Sequence, residues 1–182
     1  MHRRKLQSLL DEYERHYPAE TETLQRFRAF VAEHERCFER DCWAGHVTGS
    51  AWVVDPARQD VLLTHHKKLD IWVQLGGHSD GDADTPAVAL REAQEESGLP
   101  VKFVSDAATP QVFDLDIHAI PARKGDPEHF HFDVRFAFVA AHRGFQVSEE
   151  SNALAWVPIA DLAQYTSEQS MLRMRDKWLL SH

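Results

Sequence analysis

Only two cysteines, Cys37 and Cys42, occur among 182 residues. They are too few to staple a secreted scaffold and lack a second pair at the spacing of a tetrahedral zinc site, so they read as reduced, structural thiols. Long apolar runs are also missing. The longest stretches, such as residues 136–141, fall far short of the roughly 20 residues that cross a bilayer. The opening Met1-His-Arg-Arg-Lys has no apolar signal core, and a cytoplasmic protein with no membrane partner is expected. Positive charge is in deficit too: 20 lysines and arginines face 29 acidic residues, a formal net charge of -9. That balance argues against a nucleic-acid polymer as partner, because phosphate binding needs a basic footprint. A bound cation would have to bridge an anionic substrate to this chain. Internal repeats and low-complexity tracts are absent from the sequence.

The remaining composition, 43% hydrophobic and 27% charged, suits one globular domain with a proper core. Residues 6–38 read as helical, with Leu24, Phe27, Phe30 and Val31 at helical spacing after Thr21 as N-cap. Residues 1–44 are therefore expected to form an N-terminal helical extension and residues 45–182 the main domain. From Gly45 onward the texture changes to short β-rich runs at 50–54, 60–66 and 71–75, separated by turn residues. A polar loop then leads into a helix over 86–97, with Thr85 as N-cap, Pro86 at the first position and Gly98 as the stop. Strand-like segments follow at 111–120, 129–141 and 154–157, and a last amphipathic helix at 167–180 ends the chain.

The helix over 86–97 carries its charges at the wrong end. Glu92, Glu95 and Glu96 stand at spacings that make them neighbours, each like-charge pair opposing the helix by roughly 0.2–0.5 kcal/mol. They also occupy the C-terminal half, where the macrodipole disfavours anions by about 0.3–1 kcal/mol per exposed charge. Within the helix only Arg91 can answer, by reaching Glu95. A cation from outside the helix is the economical explanation, and oxygen-only ligands point to Mg²⁺ or Mn²⁺. The Leu75-Gly76-Gly77 turn lets backbone approach closely, so the Gly76 carbonyl is a candidate further ligand. The plainer explanation is a wet, Glu-rich helix face.

Gly77 followed by Arg91-Glu92-Ala93-Gln94-Glu95-Glu96-Ser97-Gly98-Leu99 resembles the Nudix box, G-x5-E-x7-R-E-U-x-E-E-x-G-U with U apolar, over the 23 residues 77–99. The resemblance implies an α/β fold, a Nudix-type α/β/α sandwich with a mixed β-sheet. It also implies a divalent-metal-dependent hydrolase that cleaves a diphosphate linkage in a nucleoside diphosphate derivative or similar small molecule. Glu92, Glu95 and Glu96 would bind the metal, and Arg91 would orient them through a salt bridge. Glu92 is the first candidate for the carboxylate that orients or deprotonates the attacking water. One position departs from the pattern: its first glutamate falls on Ala83, flanked by Asp82 and Asp84, either of which is open as a substitute.

Twelve histidines are present. His129, His131, Asp133 and Arg135 alternate with Phe130, Phe132, Val134 and Phe136, and Asp114, Asp116 and His118 alternate with Phe113, Leu115 and Ile117. Paired as a hairpin through 121–127, the two segments would present one polar surface carrying His118, His129 and His131. With His78 behind the glycine turn and His65 and His66 ahead of it, these rings are expected near the metal. For His78, His129 and His131 the expectation is a substrate or metal-supporting role before a dedicated zinc site. The simpler explanation is the solvated side of an antiparallel sheet. Glu149 or Glu150 is a further metal-ligand candidate by position alone.

Two other functions stay open: a non-catalytic Nudix-like ligand-binding module, suggested by Ala83, and an isomerase resembling those of isopentenyl diphosphate. The latter use a cysteine near the metal, and neither Cys37 nor Cys42 lies in the required segment. The N-terminal helices are open to covering the site or to a homodimer contact.

Overall fold

A computed structural model describes residues 2–67, 70–105, 109–123, 125–147 and 151–181. The N-terminal segment forms two helices, α1 (Arg4–His16) and α2 (Thr21–Glu33). The chain leaves α1 at Tyr17, ahead of Pro18, whose fixed φ and missing N–H oppose a continuous helix. Thr21 opens α2 from inside it; Glu20 occupies the cap position and its side chain makes no capping bond.

Among the described residues eight strands form one mixed sheet: β1 (His46–Val54), β2 (Asp60–His66), β3 (Ile71–Val73), β4 (Leu75–His78), β5 (Val101–Phe103), β6 (Val112–Ile120), β7 (His129–Ala140) and β8 (Ser151–Pro158). Helix α3 (Thr85–Ser97) lies between β4 and β5, and α4 (Gln169–Ser181) closes the chain. β1 and β7 run parallel at the centre, with His46 opposite His131 and Val54 opposite Val139. Every other pairing is antiparallel.

Alternation along the strands sends side chains to two cores. Val47, Ala51, Val53 and Leu62 join α1, α2 and α3 in one cluster, while Trp52, Val54, Val61 and Leu63 meet Met171, Met174 and Trp178 of α4 in the other. The result is the expected α/β/α sandwich. Helix α3 approaches β1 closely because Gly49 offers no side chain: a Cβ there would lie 2.9 Å from Val88 Cγ1 and 3.0 Å from the Ala89 nitrogen.

Besides the α2 cap, four points differ from the expectations. The run over 71–75 is two strands, because the chain steps at Gln74 from the edge of β2 to that of β1. Thr85 is the first residue of α3 rather than its cap; Asp84 caps it, its carboxylate accepting from the Ala87 N–H at 3.3 Å. β5 was not foreseen, since three residues after a proline carry too little periodicity to read. The β6–β7 hairpin does form, but a register shift between Val112 and Asp114 sends Phe113 to the α4 core, while Leu115 and Ile117 stay with the other.

Candidate functional site

The box closes on itself where β4 meets α3. Gly77 sits under the Glu92 carboxylate, and a Cβ at 77 would collide with both of its oxygens. The neighbouring Gly76 donates its backbone N–H to Glu96 Oε2 at 3.2 Å. Gly76 was expected to offer its carbonyl to a metal; the contact the structure gives is this N–H, which anchors Glu96. Arg91 turns to Glu92 Oε1 at 3.2 Å and to the His78 carbonyl at 3.2 Å, not to Glu95 as i,i+4 spacing suggested. Glu95 is exposed at the rim, whereas Glu92 and Glu96 are half-buried.

The loop carrying Ala83 is held from two sides. Asp82 lies 3.9 Å from Arg91 and accepts from the Asp84 N–H at 2.9 Å, while Asp84 caps α3 and pairs with Lys5 of α1 at 2.6 Å. Of the two aspartates, Asp82 is the one that reaches the box arginine. Residues ahead of Gly45 also grip this loop: the Phe38 carbonyl accepts from the Gly81 N–H at 2.9 Å, and Arg40 pairs with Asp80. Lys5 and Arg40 were missed by the sequence reading, because nothing in local spacing signals contacts 79 and 40 residues apart. Glu149 and Glu150 lie outside the described residues.

The paired registers of Thr48 with His78 and Gly49 with Gly77 put the histidines on the sheet face away from α3. There His78, His118, His129 and His131 come together, with ring centroids 5.0 Å apart for His78 and His131 and 5.3 Å for His118 and His131, on the face opposite the one that α3 and its glutamates cover. A fifth ring, His46, joins them at 4.7 Å from His131 and 4.9 Å from His129. Sequence reasoning missed His46, because the parallel pairing of β1 with β7 that brings it there is not written in either strand. His65 stands elsewhere, beside Asp70, Trp72 and Asn152.

This face is not the solvated surface that alternation allowed. Burial, with the neighbouring rings of His78 and His129 adding to it, lowers His46 to about 4, and burial with the ring of His46 drives His131 lower still. Both rings are therefore neutral near pH 7. Neither nitrogen of His46 and not Nε2 of His131 finds a hydrogen-bond partner in the described chain; the Cys42 carbonyl pulls on His46 without reaching bonding geometry. A buried polar atom left so costs about 1–3 kcal/mol.

Further along the same face lies a paired network. Arg135 donates to Asp133 at 2.7 Å and to Asp114 and Asp116 at 3.2 Å. Arg173 and Lys177 of α4 reach Asp114 at 2.7 Å, and Lys177 also meets Tyr13 of α1 at 2.6 Å. Thr48 and Ser50 donate to Asp133. Burial pushes the Asp116 carboxyl up, but the His118 ring with Arg135 and Arg173 holds it well below the usual carboxylate range.

Neither cysteine suits nucleophilic use. Cys37 is fully buried, and burial pushes its thiol up to about 11; burial also raises Cys42. A groove of about 710 Å³ at the far end of β1, lined by residues including Arg58, Asp60, Ile159 and Trp178, contains no box residue. No helix among the described residues is long and apolar enough to cross a membrane.

A mixed sheet between helical layers, with the REXXEE segment of a helix folded against a glycine pair, defines a Nudix fold. The family model for the Nudix domain matches residues 45–177, and the chain belongs to the Nudix family; its class is that of the Nudix hydrolases. Among solved structures it resembles a Nudix-family hydrolase from Clostridium perfringens, with 25% identity, a TM-score of 0.57, and 75% of this chain and 98% of that one covered. The dihydroneopterin triphosphate pyrophosphohydrolase of E. coli shares the fold at 16% identity and a TM-score of 0.56, over 75% and 96% of the two chains. So does an Ap4A hydrolase of C. elegans, at 16% identity and 0.52, over 74% and 95%. None of the curated proteins matches the sequence.

Proposed function

We propose that the chain is a divalent-metal-dependent pyrophosphohydrolase acting on a diphosphate linkage in a nucleoside diphosphate derivative or similar small molecule. The observation that carries this reading is the carboxylate pair over the glycine turn: Glu92 fills the space that a Cβ of Gly77 would take, and Glu96 is anchored to the Gly76 N–H. Hard oxygen donors so gathered, with Arg91 the single arginine of the helix, fit Mg²⁺ or Mn²⁺. Glu92, Glu96 and the exposed Glu95 would hold the ion, with the Gly76 carbonyl as a further donor. Such an ion would supply positive charge to the diphosphate oxygens and acidify the attacking water.

The chain's own part is to orient. Arg91, anchored on the His78 carbonyl, fixes Glu92 through Oε1 while Oε2 faces the glycine turn. Glu92 takes the proton of the water whose oxygen attacks phosphorus, and the bridging P–O bond breaks to leave a monophosphate and a second phosphorylated fragment. His78, next to the turn, would meet the substrate. Residues 1–44 act as an extension that braces the box loop through Lys5 and Arg40. Fold relatives that include an Ap4A hydrolase and a dihydroneopterin triphosphate pyrophosphohydrolase support small phosphoanhydride substrates.

The test is a panel of dinucleoside polyphosphates, nucleoside diphosphate derivatives and nucleoside triphosphates, with Mg²⁺, with Mn²⁺ and with chelator, read by release of phosphorylated products. Turnover that needs the ion and disappears in Glu96→Gln is expected. Absence of turnover with every compound and both ions would sink the reading.

A further inference from the structure

We propose a second cation site, for a borderline transition metal of the Zn²⁺ kind, built by His46, His129 and His131 on the sheet face away from α3. One ring nitrogen from each residue lies within 4.8 Å of the other two. Tetrahedral zinc with Zn–N bonds of about 2.0–2.1 Å sets its nitrogens roughly 3.3–3.4 Å apart. The rings therefore close by about 1.5 Å at most, a movement of side-chain torsions and not of strands.

Three observations support a ligand in this place. His46 is 2% exposed and both its nitrogens lack a partner, as does Nε2 of His131, although buried polar atoms are ordinarily satisfied. His129 has Nδ1 2.8 Å from the Pro127 carbonyl, so the proton belongs on Nδ1 and Nε2 is left as the donor of a lone pair. Metal-bound imidazoles are held in this way by an outer hydrogen bond. Finally, the scaffold is rigid: His46 is registered opposite His131 in the central parallel pair, and His129 stands two residues earlier on β7.

The donor set separates this site from the glutamates. All-nitrogen coordination selects Zn²⁺, Co²⁺, Ni²⁺ or Cu²⁺ and is a poor match to Mg²⁺. The two sites meet through β4: the His78 ring packs 5.1 Å from that of His46, and the His78 carbonyl accepts from Arg91. An ion here pins the starts of β1 and β7 beneath the strand that carries the glycine turn. The inference stands independently of the hydrolase reading, since its test measures no turnover.

The test uses the full chain stripped with chelator and titrated with Zn²⁺ against a chromogenic competitor, with the histidine ¹⁵N resonances followed in parallel. One equivalent per chain is expected, retained in the Glu92→Gln, Glu96→Gln double variant and weakened by more than about 100-fold in His46→Ala and His129→Ala. The resonances of His46, His129 and His131 should move, and those of His65 and His142 should not. The resonance experiment needs no substitution, so a variant that fails to fold leaves the proposal falsifiable. No stoichiometric Zn²⁺, an equivalent lost with the glutamates, or shifts confined to other histidines would each overturn it.

Discussion

Two sets of three carboxylates stand a few strands apart, and they are built to opposite ends. Asp114, Asp116 and Asp133 are answered by Arg135, Arg173 and Lys177, the lysine being shared with Glu20, with Asp114 and Asp133 buried. Glu92, Glu95 and Glu96 have one arginine on their own helix, Arg91, and lie half-buried or exposed. The protein's own cations consume the first set, which ties α1 and α4 to the sheet edge. The second set gathers its carboxylates at neighbouring positions on the dipole-disfavoured end of α3, the arrangement that suits the metal proposed above.

The largest effect that would sharpen this contrast is on activity. Glu92→Gln should lower turnover by about 10²–10⁴-fold and Glu96→Gln should abolish it, both without loss of melting temperature, because like-charge repulsion of a few tenths of a kcal/mol is relieved. A variant that melts earlier and keeps its activity would assign the glutamates to structure. The converse substitution, Arg135→Met, should cost about 3–5 kcal/mol in urea unfolding by taking from the buried Asp133 the cation it pairs with, while Asp114 keeps Arg173 and Lys177. A cost below about 1 kcal/mol would break the comparison.

Gly77→Ala places a methyl group on the Glu92 carboxylate. Displacement on the order of 1 Å predicts a fall in kcat of about 10²-fold with the fold retained, checked by steady-state kinetics and circular dichroism. Acid separates the sets by another route. Asp116 has its folded pKa depressed, so the stability it contributes is complete above the ordinary carboxylate value and is lost as pH falls through its folded value. Melting temperature should therefore decline below about pH 4 and decline less steeply in Asp116→Asn; identical slopes would remove Asp116 from the network's energetics. The smallest effect is expected from Asp82→Asn, whose ion pair with Arg91 is long and partly exposed. A loss of no more than a few-fold in kcat/KM should follow, and a larger one would give Asp82 the missing glutamate's part.

Much of the α3 set was legible in the sequence because a helix keeps its neighbours within four residues. The spacing of Glu92, Glu95 and Glu96, the stop at Gly98 and the closeness demanded of Gly77 are all local. The aspartate network was half legible. Period-2 alternation put Asp114, Asp116, Asp133 and Arg135 on one face, but suggested water beyond it where α4 supplies Arg173 and Lys177.

By itself, then, the sequence determined the box, the two-sided strands and the deficit of positive charge, since these follow from residue type and short-range geometry. Tertiary structure alone decided that Arg91 serves Glu92 and the His78 carbonyl, that Lys5 and Arg40 hold the box loop, and that His46 completes the histidine cluster. Each of these rests on strand register, or on where a side chain turns once its neighbours are in place. A parallel pairing such as β1 with β7 joins segments some 85 residues apart, with no turn between them to announce it.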